Sequence, residues 1–333
     1  MGADIHSAAA DHRAIEEAAA CLRAGGLVVF PTETVYGLGA DALNPKAVAR
    51  VFEVKQRPRF DPLIVHVADI GWLQDIAAAF PLPARKLADR FWPGPLTFVL
   101  PKTDRVPDLV TAGLPTVAVR MPRHPLAMEL IRRVGRPVAA PSANRFGHLS
   151  PSTAEDARTE VGEGVDMILD GGPCPVGIES TIVSFTGERP VLLRPGGLPV
   201  EEIETVIGPV SAAVESDDRP ESPGRLPRHY APRTPLLLVS DLPPASDRAG
   251  AGLLSPGPVP EALGFASVEI LSAAGNPAEA ASRFFSALRR LDGAGLVKIF
   301  AIPGPERGLW RAINDRLRRA VTLEVPRAQS PNR

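Results

Sequence analysis

PTETVYGLGADA, residues 31–42, is the stretch that most constrains how this 333-residue chain folds. It begins where the apolar, β-branched run LVVFP (27–31) ends, and such a run predicts a buried strand. Ligands of open α/β sheets bind beyond strand ends, so polar side chains at this place predict a binding site. Thr34 offers a hydroxyl, and Gly37 and Gly39 permit close approach of a ligand. A glycine-containing turn between a strand and a helix is the structural alternative, and this stretch alone does not separate the two.

The residues around this stretch alternate between helical and strand patterns. We predict helices at 12–24, 44–55, 83–91, 124–134 and 153–161, and strands at 27–31, 62–67, 95–100, 116–121, 137–140, 167–170, 180–185 and 191–194. Asn44 before Pro45 is typical of a helix start, with Asn as the N-cap and Pro in the first turn. This mixture predicts one α/β domain with a mixed sheet over residues 1–210.

Beyond residue 210 the pattern changes twice. Residues 211–234 include SPGRLPRHYAPRTP, whose prolines exclude regular structure and predict a rigid linker. From residue 235 to 333 a smaller α/β unit follows. Its predicted strands are 236–240 and 296–302, and its predicted helices are 277–291, with Asn276 as N-cap, and 306–321.

Composition excludes several classes of protein. A net charge of −1 argues against a protein that coats nucleic acid. The two cysteines, Cys21 and Cys174, form no CxxC pair, which argues against a zinc site or a disulfide framework. We find no apolar run of membrane-spanning length and no signal-peptide pattern at the start. A cytoplasmic protein with no membrane partner is therefore expected.

Positive side chains stand at the ends of several predicted elements. Lys55, Arg57 and Arg59 alternate at the end of a predicted helix, and a polyphosphate is the ligand that suits such a cluster. A solvated loop is the alternative, because basic residues also suit helix C-termini. Arg120 ends a strand, where burial is costly without an anionic partner, and Arg194 ends another.

Small and hydroxyl-bearing residues complete the pattern. Ser142 and Asn144, in APSAN, leave room beside the strand 137–140 for a flat ring or a sugar. The chain contains no Walker P-loop, no GxGxxG after its first strand and no GxSxG elbow. The residues therefore predict a site for phosphate and carboxylate groups assembled from several strand ends.

These segments together resemble a known family. In order, PTETVYGLGADA, K-x-R-P with PLIVHV, VAVR, APSAN, STIV and LLRPGG resemble the YrdC-type catalytic domain of threonylcarbamoyl-AMP synthases. The linker SPGRLPRHYAPRTP and the helix GLWRAINDRLRRA (308–320) resemble the family's long form, and the resemblance covers residues 12–325. It implies a twisted, mostly open α/β sheet with a concave positive face, followed by a smaller C-terminal α/β domain.

The resemblance also implies an activity. The family condenses L-threonine, bicarbonate or CO₂, and ATP with Mg²⁺ to threonylcarbamoyl-AMP and pyrophosphate, as a nucleotidyltransferase. A downstream tRNA-modifying transferase complex then moves the threonylcarbamoyl group to an adenosine beside the anticodon. Whether the synthase itself contacts tRNA stays open.

Individual positions take roles by the same resemblance. The threonine-binding positions are Thr34, His66, Arg120 and Ser180. The ATP-binding positions are Lys55, Arg57, Asp61, Thr116, Ser142, Asn144, Ser150, Arg194 and Tyr230, and of these Lys55 and Arg57 are expected to be catalytic through charge stabilisation. No metal ligands of the protein's own are expected.

Two positions bear on the details of this assignment. Asp61 stands where the family usually has asparagine, and an acid there repels triphosphate unless Mg²⁺ or a neighbouring arginine compensates. Tyr230, with His229 beside it, matches a linker segment that folds over the nucleotide as a lid, whereas a plain spacer is the alternative.

Two other functions remain open at this point. A carbamoyl-transferring hydrogenase-maturation enzyme shares the YrdC-type domain, but it adds zinc-finger cysteines that two isolated cysteines cannot supply. A YrdC-type RNA-binding module without catalysis would explain the arginines of the last predicted helix, although the net charge disfavours it.

Overall fold

The computed structural model describes residues 5–7, 12–213, 222–224, 229–260 and 263–322. The predicted linker is therefore described only in part, and Arg228 lies outside the described residues. The same holds for residues 323–333, the end of the predicted second unit. No helix in the described part of the chain is long and apolar enough to span a membrane.

The larger sheet is mixed, as predicted. Its strands are Ile5–Ser7 (β1), Val28–Phe30 (β2), Gly37–Asp41 (β3), Ile64–His66 (β4), Leu96–Pro101 (β5), Thr116–Arg120 (β6), Val138–Ala139 (β7), Met167–Asp170 (β8), Thr181–Ser184 (β9), Val191–Arg194 (β10) and Ser211–Ala212 (β11). Across the sheet they follow the order β1-β8-β2-β3-β7-β4-β6-β5-β9-β10-β11. β4, at the centre of the sheet, pairs parallel with β6 on one side and antiparallel with β7 on the other.

Helices cover this sheet and bury their apolar faces against it. They are His12–Arg23 (α1), Pro45–Lys55 (α2), Leu73–Ile76 (α3), Leu82–Phe91 (α4), Asp108–Thr111 (α5), Pro125–Val134 (α6), Ala154–Val161 (α7) and Val200–Ile207 (α8). The predicted start of α2 is confirmed, because the Asn44 side chain accepts hydrogen bonds from the backbone amides of Lys46 and Ala47. The apolar faces hold the helices against the sheet, and the cap sets the residue at which α2 begins.

A second, smaller sheet follows the linker. Its strands Leu236–Leu238 (β12), Ala251–Ser255 (β13), Ser267–Ile270 (β14) and Lys298–Ala301 (β15) are all parallel, in the order β12-β15-β13-β14. Pro277–Asp292 (α9) and Gly308–Ala320 (α10) pack against it. The predicted smaller α/β unit is thus present, with β13 and β14 added to the two strands that the sequence predicted.

The glycine-rich part of residues 31–42 is a strand and not a turn. β3 runs from Gly37 to Asp41 and pairs antiparallel with both β2 and β7. A Cβ atom on Gly39 would lie 2.7 Å from the ring of Phe30, so glycine is required for these neighbouring strands to approach. The glycines here serve sheet packing, and the residues before them, 32–36, form the loop that faces the site.

The two units share one apolar interface. Val35 and Leu149, from the first unit, belong to the same buried cluster as Phe284 and Phe285 of α9 and Ile313 of α10. Burial of side chains of this size stabilises contact by about 1.5–3 kcal/mol each. The second unit therefore packs directly beside the loop that follows β2.

Candidate active site

A cavity lies where the end of β4, the end of β6 and the start of β9 meet the loop after β2. His66 and Arg120 are partners in the parallel pairing of β4 with β6, which places the two strand ends side by side. The predicted site residues that line this cavity are Thr34, Arg57, His66, Arg120, Ser142, Ser180, Arg194 and Tyr230. Side chains from distant parts of the sequence thus converge on one space.

Arg120 is held in a fixed orientation in this cavity. Its Nη1 donates to Thr34 Oγ1 at 2.8 Å, and its Nε donates to the carbonyl of Gly94 at 3.2 Å. Its Nη2 lies 2.8 Å from Glu33 Oε1, and only 3% of Arg120 is exposed. A buried arginine needs such an anionic partner. Glu33 therefore compensates the Arg120 charge while Thr34 and Arg120 face the cavity together.

Ser180 and Arg194 lie next to each other in the cavity lining. The Ser180 hydroxyl lies 2.8 Å from the hydroxyl of Thr97, and Arg194 Nη2 donates to the Ser180 carbonyl at 2.9 Å. Arg194 Nη1 also donates to the carbonyl of Pro223 at 3.1 Å. Burial lowers the pKa of Arg194, and a bound anion would favour its charged form. This part of the lining is suited to negatively charged groups.

His66 faces the cavity as a neutral imidazole. Burial, with a further contribution from the charge of Arg120, lowers the pKa of His66 from 6.5 to about 3. Its Nδ1 has no hydrogen-bond partner among the residues that the structure describes. The ring packs edge-on against Phe30, with centroids 6.4 Å apart. His66 therefore presents one unused polar atom to a ligand, beyond its role in the core.

The buried His66 should make folding sensitive to acid. Because its folded pKa lies below its unfolded value of 6.5, only the unfolded chain takes up this proton as the pH falls, and stability is lost between about pH 6.5 and 3. On going from pH 7.5 to 5.5 we expect this residue to cost about 1 kcal/mol. Urea unfolding of the wild-type chain and of His66→Gln at both pH values measures the difference. Equal pH dependence in the two proteins would contradict the assigned ionisation.

Asp61 does not line the cavity. It is fully buried behind Arg57, and the two side chains form an ion pair of 2.8 Å between Asp61 Oδ2 and Arg57 Nη2. Arg57 also donates to the backbone carbonyls of Asp61 and Pro62, at 3.1 and 2.8 Å. The arginine that the sequence required to compensate Asp61 is therefore Arg57. As a direct contact to nucleotide, Asp61 has no support from this geometry.

Lys55 is buried next to the cavity rather than in its lining. Its Nζ donates to the carbonyl of Ser142 at 2.5 Å and to the carbonyl of Asn144. Burial lowers the pKa of Lys55 well below its ordinary value, and the charge of Arg57 lowers it further. Lys55 thus ties the end of α2 to the loop after β7, and an incoming anion would favour its protonated form.

Other predicted nucleotide positions also lie outside the cavity lining. Thr116 begins β6, the strand that Arg120 ends, at a distance of about 13 Å along the strand. Asn144 is buried and donates to the carbonyls of Arg145 and His148. Ser150 is buried and donates to Glu179. Arg59, the third cation of the predicted cluster, is exposed.

Linker residues close the cavity. Pro223, Gly224, His229 and Tyr230 all line it, and the free volume that remains is about 40 Å³. The Tyr230 backbone has a φ of 62°, in the left-handed region that bulky residues rarely adopt. Its ring packs against His229, with centroids 4.1 Å apart. The described linker residues therefore form part of the cavity lining.

Three residues of this site were missed from the sequence. Glu33 lies inside the motif 31–42 but pairs with Arg120, 87 residues later. Thr97 and Glu179 support the Ser180 and Ser150 hydroxyls. Local sequence does not show which residues pair in this way. The one available signal was the acid Glu179 directly before Ser180, because an acid beside a predicted site residue needs a cationic partner.

Comparison with known proteins decides the family. Residues 20–196 match the family described as "Telomere recombination", and residues 198–322 match the family described as "Threonylcarbamoyl-AMP synthase, C-terminal domain". The chain is 44% identical over 322 residues to the threonylcarbamoyl-AMP synthase of Pyrococcus abyssi (strain GE5 / Orsay), with 93% of this chain and 95% of that protein covered. The chain belongs to the threonylcarbamoyl-AMP synthase family.

Other members of the threonylcarbamoyl-AMP synthase family agree over the whole length. The protein of that name from Bacillus subtilis (strain 168) is 43% identical over 326 residues, covering 94% of each chain. The crystal structure of P. abyssi Sua5 complexed with L-threonine superposes with a TM-score of 0.86 at 42% identity. That likeness covers 94% of this chain and 96% of that one, so the synthase family's two-domain architecture extends across both units described above.

Proposed function

We propose that this chain condenses L-threonine, bicarbonate or CO₂, and ATP to threonylcarbamoyl-AMP and pyrophosphate. The observation that carries this proposal is the cavity shared by Arg57, Arg120 and Arg194, in a chain of this family. Threonine carbamate and ATP are both anions that repel each other. Three buried guanidinium groups border one space, two of them held in place by Glu33 and Asp61, and they would bind and position the anionic reactants, which supplies much of the catalysis needed.

Different residues of the cavity lining suit different reactants. On the side of Arg120, the hydroxyls of Thr34 and Ser180 and the free Nδ1 of His66 offer partners for the carboxylate and hydroxyl of threonine. Arg57 and Arg194 would then hold the phosphates. The carbamate oxygen would attack the α-phosphorus and pyrophosphate would leave in line with it. No general base is required once the carbamate has formed.

Magnesium is proposed to arrive as part of the substrate MgATP. Within the described ranges, no group of three or more His, Cys, Asp or Glu side chains is placed to hold a metal ion. Glu179 is the carboxylate in the cavity lining, and it is paired with Arg316 at 3.0 Å. The phosphates themselves would therefore supply the metal's ligands, and the ion would neutralise part of their charge.

The linker is proposed to act as a lid. His229 and Tyr230 line the cavity, and His229 donates its backbone amide to the carbonyl of Arg319 in α10 at 3.1 Å. A segment anchored in this way excludes water from a reactive adenylate when it is closed. The geometry favours this role over that of a plain spacer, because a spacer has no reason to enter the cavity.

The product implies a partner reaction. Threonylcarbamoyl-AMP is an activated acyl donor, so we propose that a tRNA-modifying transferase complex consumes it in the cytoplasm. The hydrogenase-maturation alternative has no support from the two cysteines, which are unpaired, Cys174 being buried. The RNA-binding alternative is weakened because two of the four arginines of α10, Arg316 and Arg319, are largely buried and paired with acids.

A single assay tests the proposed function. With ATP, Mg²⁺, threonine and bicarbonate present, we expect the protein to release pyrophosphate and form a product with the mass of threonylcarbamoyl-AMP. Omission of threonine or of bicarbonate should reduce pyrophosphate release to background. Pyrophosphate release that depends on carbamoyl phosphate instead of threonine would favour the carbamoyl-transfer alternative, and binding of RNA with no turnover would favour the RNA-binding module.

A further inference from the structure

One arginine of the second domain lies behind the wall of the cavity. Arg316, on α10, is fully buried, and its Nε lies 3.0 Å from Glu179 Oε2. Its Nη1 donates to the carbonyl of Pro195 at 2.5 Å, directly after Arg194. A fully buried arginine that crosses a domain boundary to reach a carboxylate is an expensive arrangement unless both charges are needed.

Glu179 is the acid that this arginine compensates. It lines the cavity, and its other carboxylate oxygen accepts a hydrogen bond from the Ser150 hydroxyl. Arg194, which faces the same space, lies on the next strand of the sheet and contacts Ser180. An unpaired carboxylate at this wall would repel the phosphates of ATP, and repulsion between buried charges is strong because the local dielectric constant is low.

The charges behind the wall are balanced in pairs. Asp315 lies 2.9 Å from Arg316 and 3.1 Å from Arg319, so the acids Glu179 and Asp315 face the bases Arg316 and Arg319. Among the described residues, no carboxylate forms an ion pair with Arg194, so its charge can meet a ligand of the cavity.

Arg316 also contacts the lid. Its guanidinium carbon lies 5.3 Å from the centre of the Tyr230 ring, within the range of a cation–π interaction. On the same domain, Phe285 packs against Tyr230 with centroids 5.8 Å apart. One guanidinium therefore touches both the acid in the cavity wall and the aromatic ring that closes the cavity.

We propose that Arg316 is a positioning residue for nucleotide binding. It neutralises Glu179 and holds that carboxylate against the Ser150 hydroxyl, so that this wall accepts a polyphosphate. The second domain thereby takes part in binding ATP without contacting it. This inference rests on the proposed function, since it assumes that the cavity binds ATP.

Calorimetric titration with ATP tests the inference. Arg316→Met removes the charge but keeps most of the side-chain volume, and we expect the Kd for ATP to rise by roughly tenfold or more, because Glu179 is left unpaired. The Kd for threonine, which binds on the Arg120 side, should change by less than about threefold. Arg318→Met is the matched control: Arg318 lies on the same helix in an exposed pair with Glu306, where a change of less than about twofold is expected.

A double variant separates charge compensation from simple packing. In Glu179→Gln/Arg316→Met both charges are gone, while the glutamine oxygen still accepts from Ser150, so the Kd for ATP should return to within about threefold of the wild-type value. A double variant that binds ATP as weakly as Arg316→Met overturns the inference. If Arg316→Met does not fold, the double variant, whose neutral pair is tolerated better, carries the test by itself.

The outcomes also distinguish this inference from the proposed function. Wild-type protein that binds ATP with an affinity unchanged in Arg316→Met overturns the role of Arg316 and leaves the proposed function standing. Wild-type protein that binds no ATP overturns the proposed function, and the role of Arg316 in nucleotide binding falls with it.

Discussion

Replacing Arg57 with alanine is expected to lower the rate of threonylcarbamoyl-AMP synthesis at least about 100-fold, the scale observed when one preorganised charge-stabilising group is removed. Arg57 lines the cavity and is fixed by Asp61 and by two backbone carbonyls, so it meets a phosphate with little reorganisation. Initial rates of pyrophosphate release at saturating threonine measure the effect. Near-normal release by the variant would remove Arg57 from the proposed mechanism.

Loss of folding stability has to be separated from loss of catalysis in this variant. Arg57→Ala leaves Asp61 buried without its partner, which costs about 3–5 kcal/mol. The double variant Arg57→Ala/Asp61→Asn should recover most of that stability but none of the synthesis. Arg50→Ala, on the preceding helix α2, removes a surface pair with Asp166 and serves as the control that should leave both quantities close to the wild-type values.

Lys55→Ala is also expected to lower synthesis, but with a larger contribution from disturbed loop structure. Lys55 donates to the carbonyls of Ser142 and Asn144, so its removal frees the loop that also carries the cavity-lining Ser142 side chain. We therefore expect synthesis to fall by a factor similar to that for Arg57→Ala, together with a lower free energy of unfolding. A stable Lys55→Ala protein with near-normal pyrophosphate release would contradict the role proposed for this lysine.

Removing the lid side chains should uncouple ATP consumption from product formation. In His229→Ala/Tyr230→Ala the two groups that close the cavity are gone, and water can reach the adenylate. We expect synthesis to fall roughly tenfold or more, while the ratio of pyrophosphate released to threonylcarbamoyl-AMP recovered rises at least about threefold. Quantifying both products in the same reaction gives the ratio.

A conservative variant provides the control for the lid. The Tyr230 hydroxyl has no hydrogen-bond partner among the described residues, so Tyr230→Phe keeps the ring over the cavity and should keep the wild-type product ratio. A double alanine variant that loses synthesis with an unchanged ratio would show that these side chains do not exclude water, and the spacer interpretation of the linker would then be favoured.

Much of the fold was readable from local pattern. The start of α2 at Asn44 and the apolar runs of β4, β5 and β6 carry their signals within a few residues, and these elements are present as predicted. β3 was not predicted, because Gly37 and Gly39 weaken strand propensity and their need is created by Phe30 on the adjacent strand. A need for glycine that comes from a neighbouring strand cannot be predicted from the sequence of one strand alone.

In the site, too, single residues were predictable from the sequence but their partners were not. Arg120 and Arg194 were identifiable because a charged residue at the end of a buried strand needs a partner. The partner itself was not identifiable: Glu33 for Arg120, or Arg316 for Glu179, 137 residues away along the chain. Asp61 illustrates the same limit, since the resemblance implied a nucleotide position, and the sequence alone gave no sign that Asp61 pairs with Arg57.

The left-handed backbone of Tyr230 has a mechanical consequence. A bulky residue in that region stores about 1–3 kcal/mol of conformational strain, which the closed segment must recover from the rings and guanidinium that surround it. The closed position of Tyr230 therefore depends on those contacts, and a substitution that removes them would also relieve the strain in its backbone.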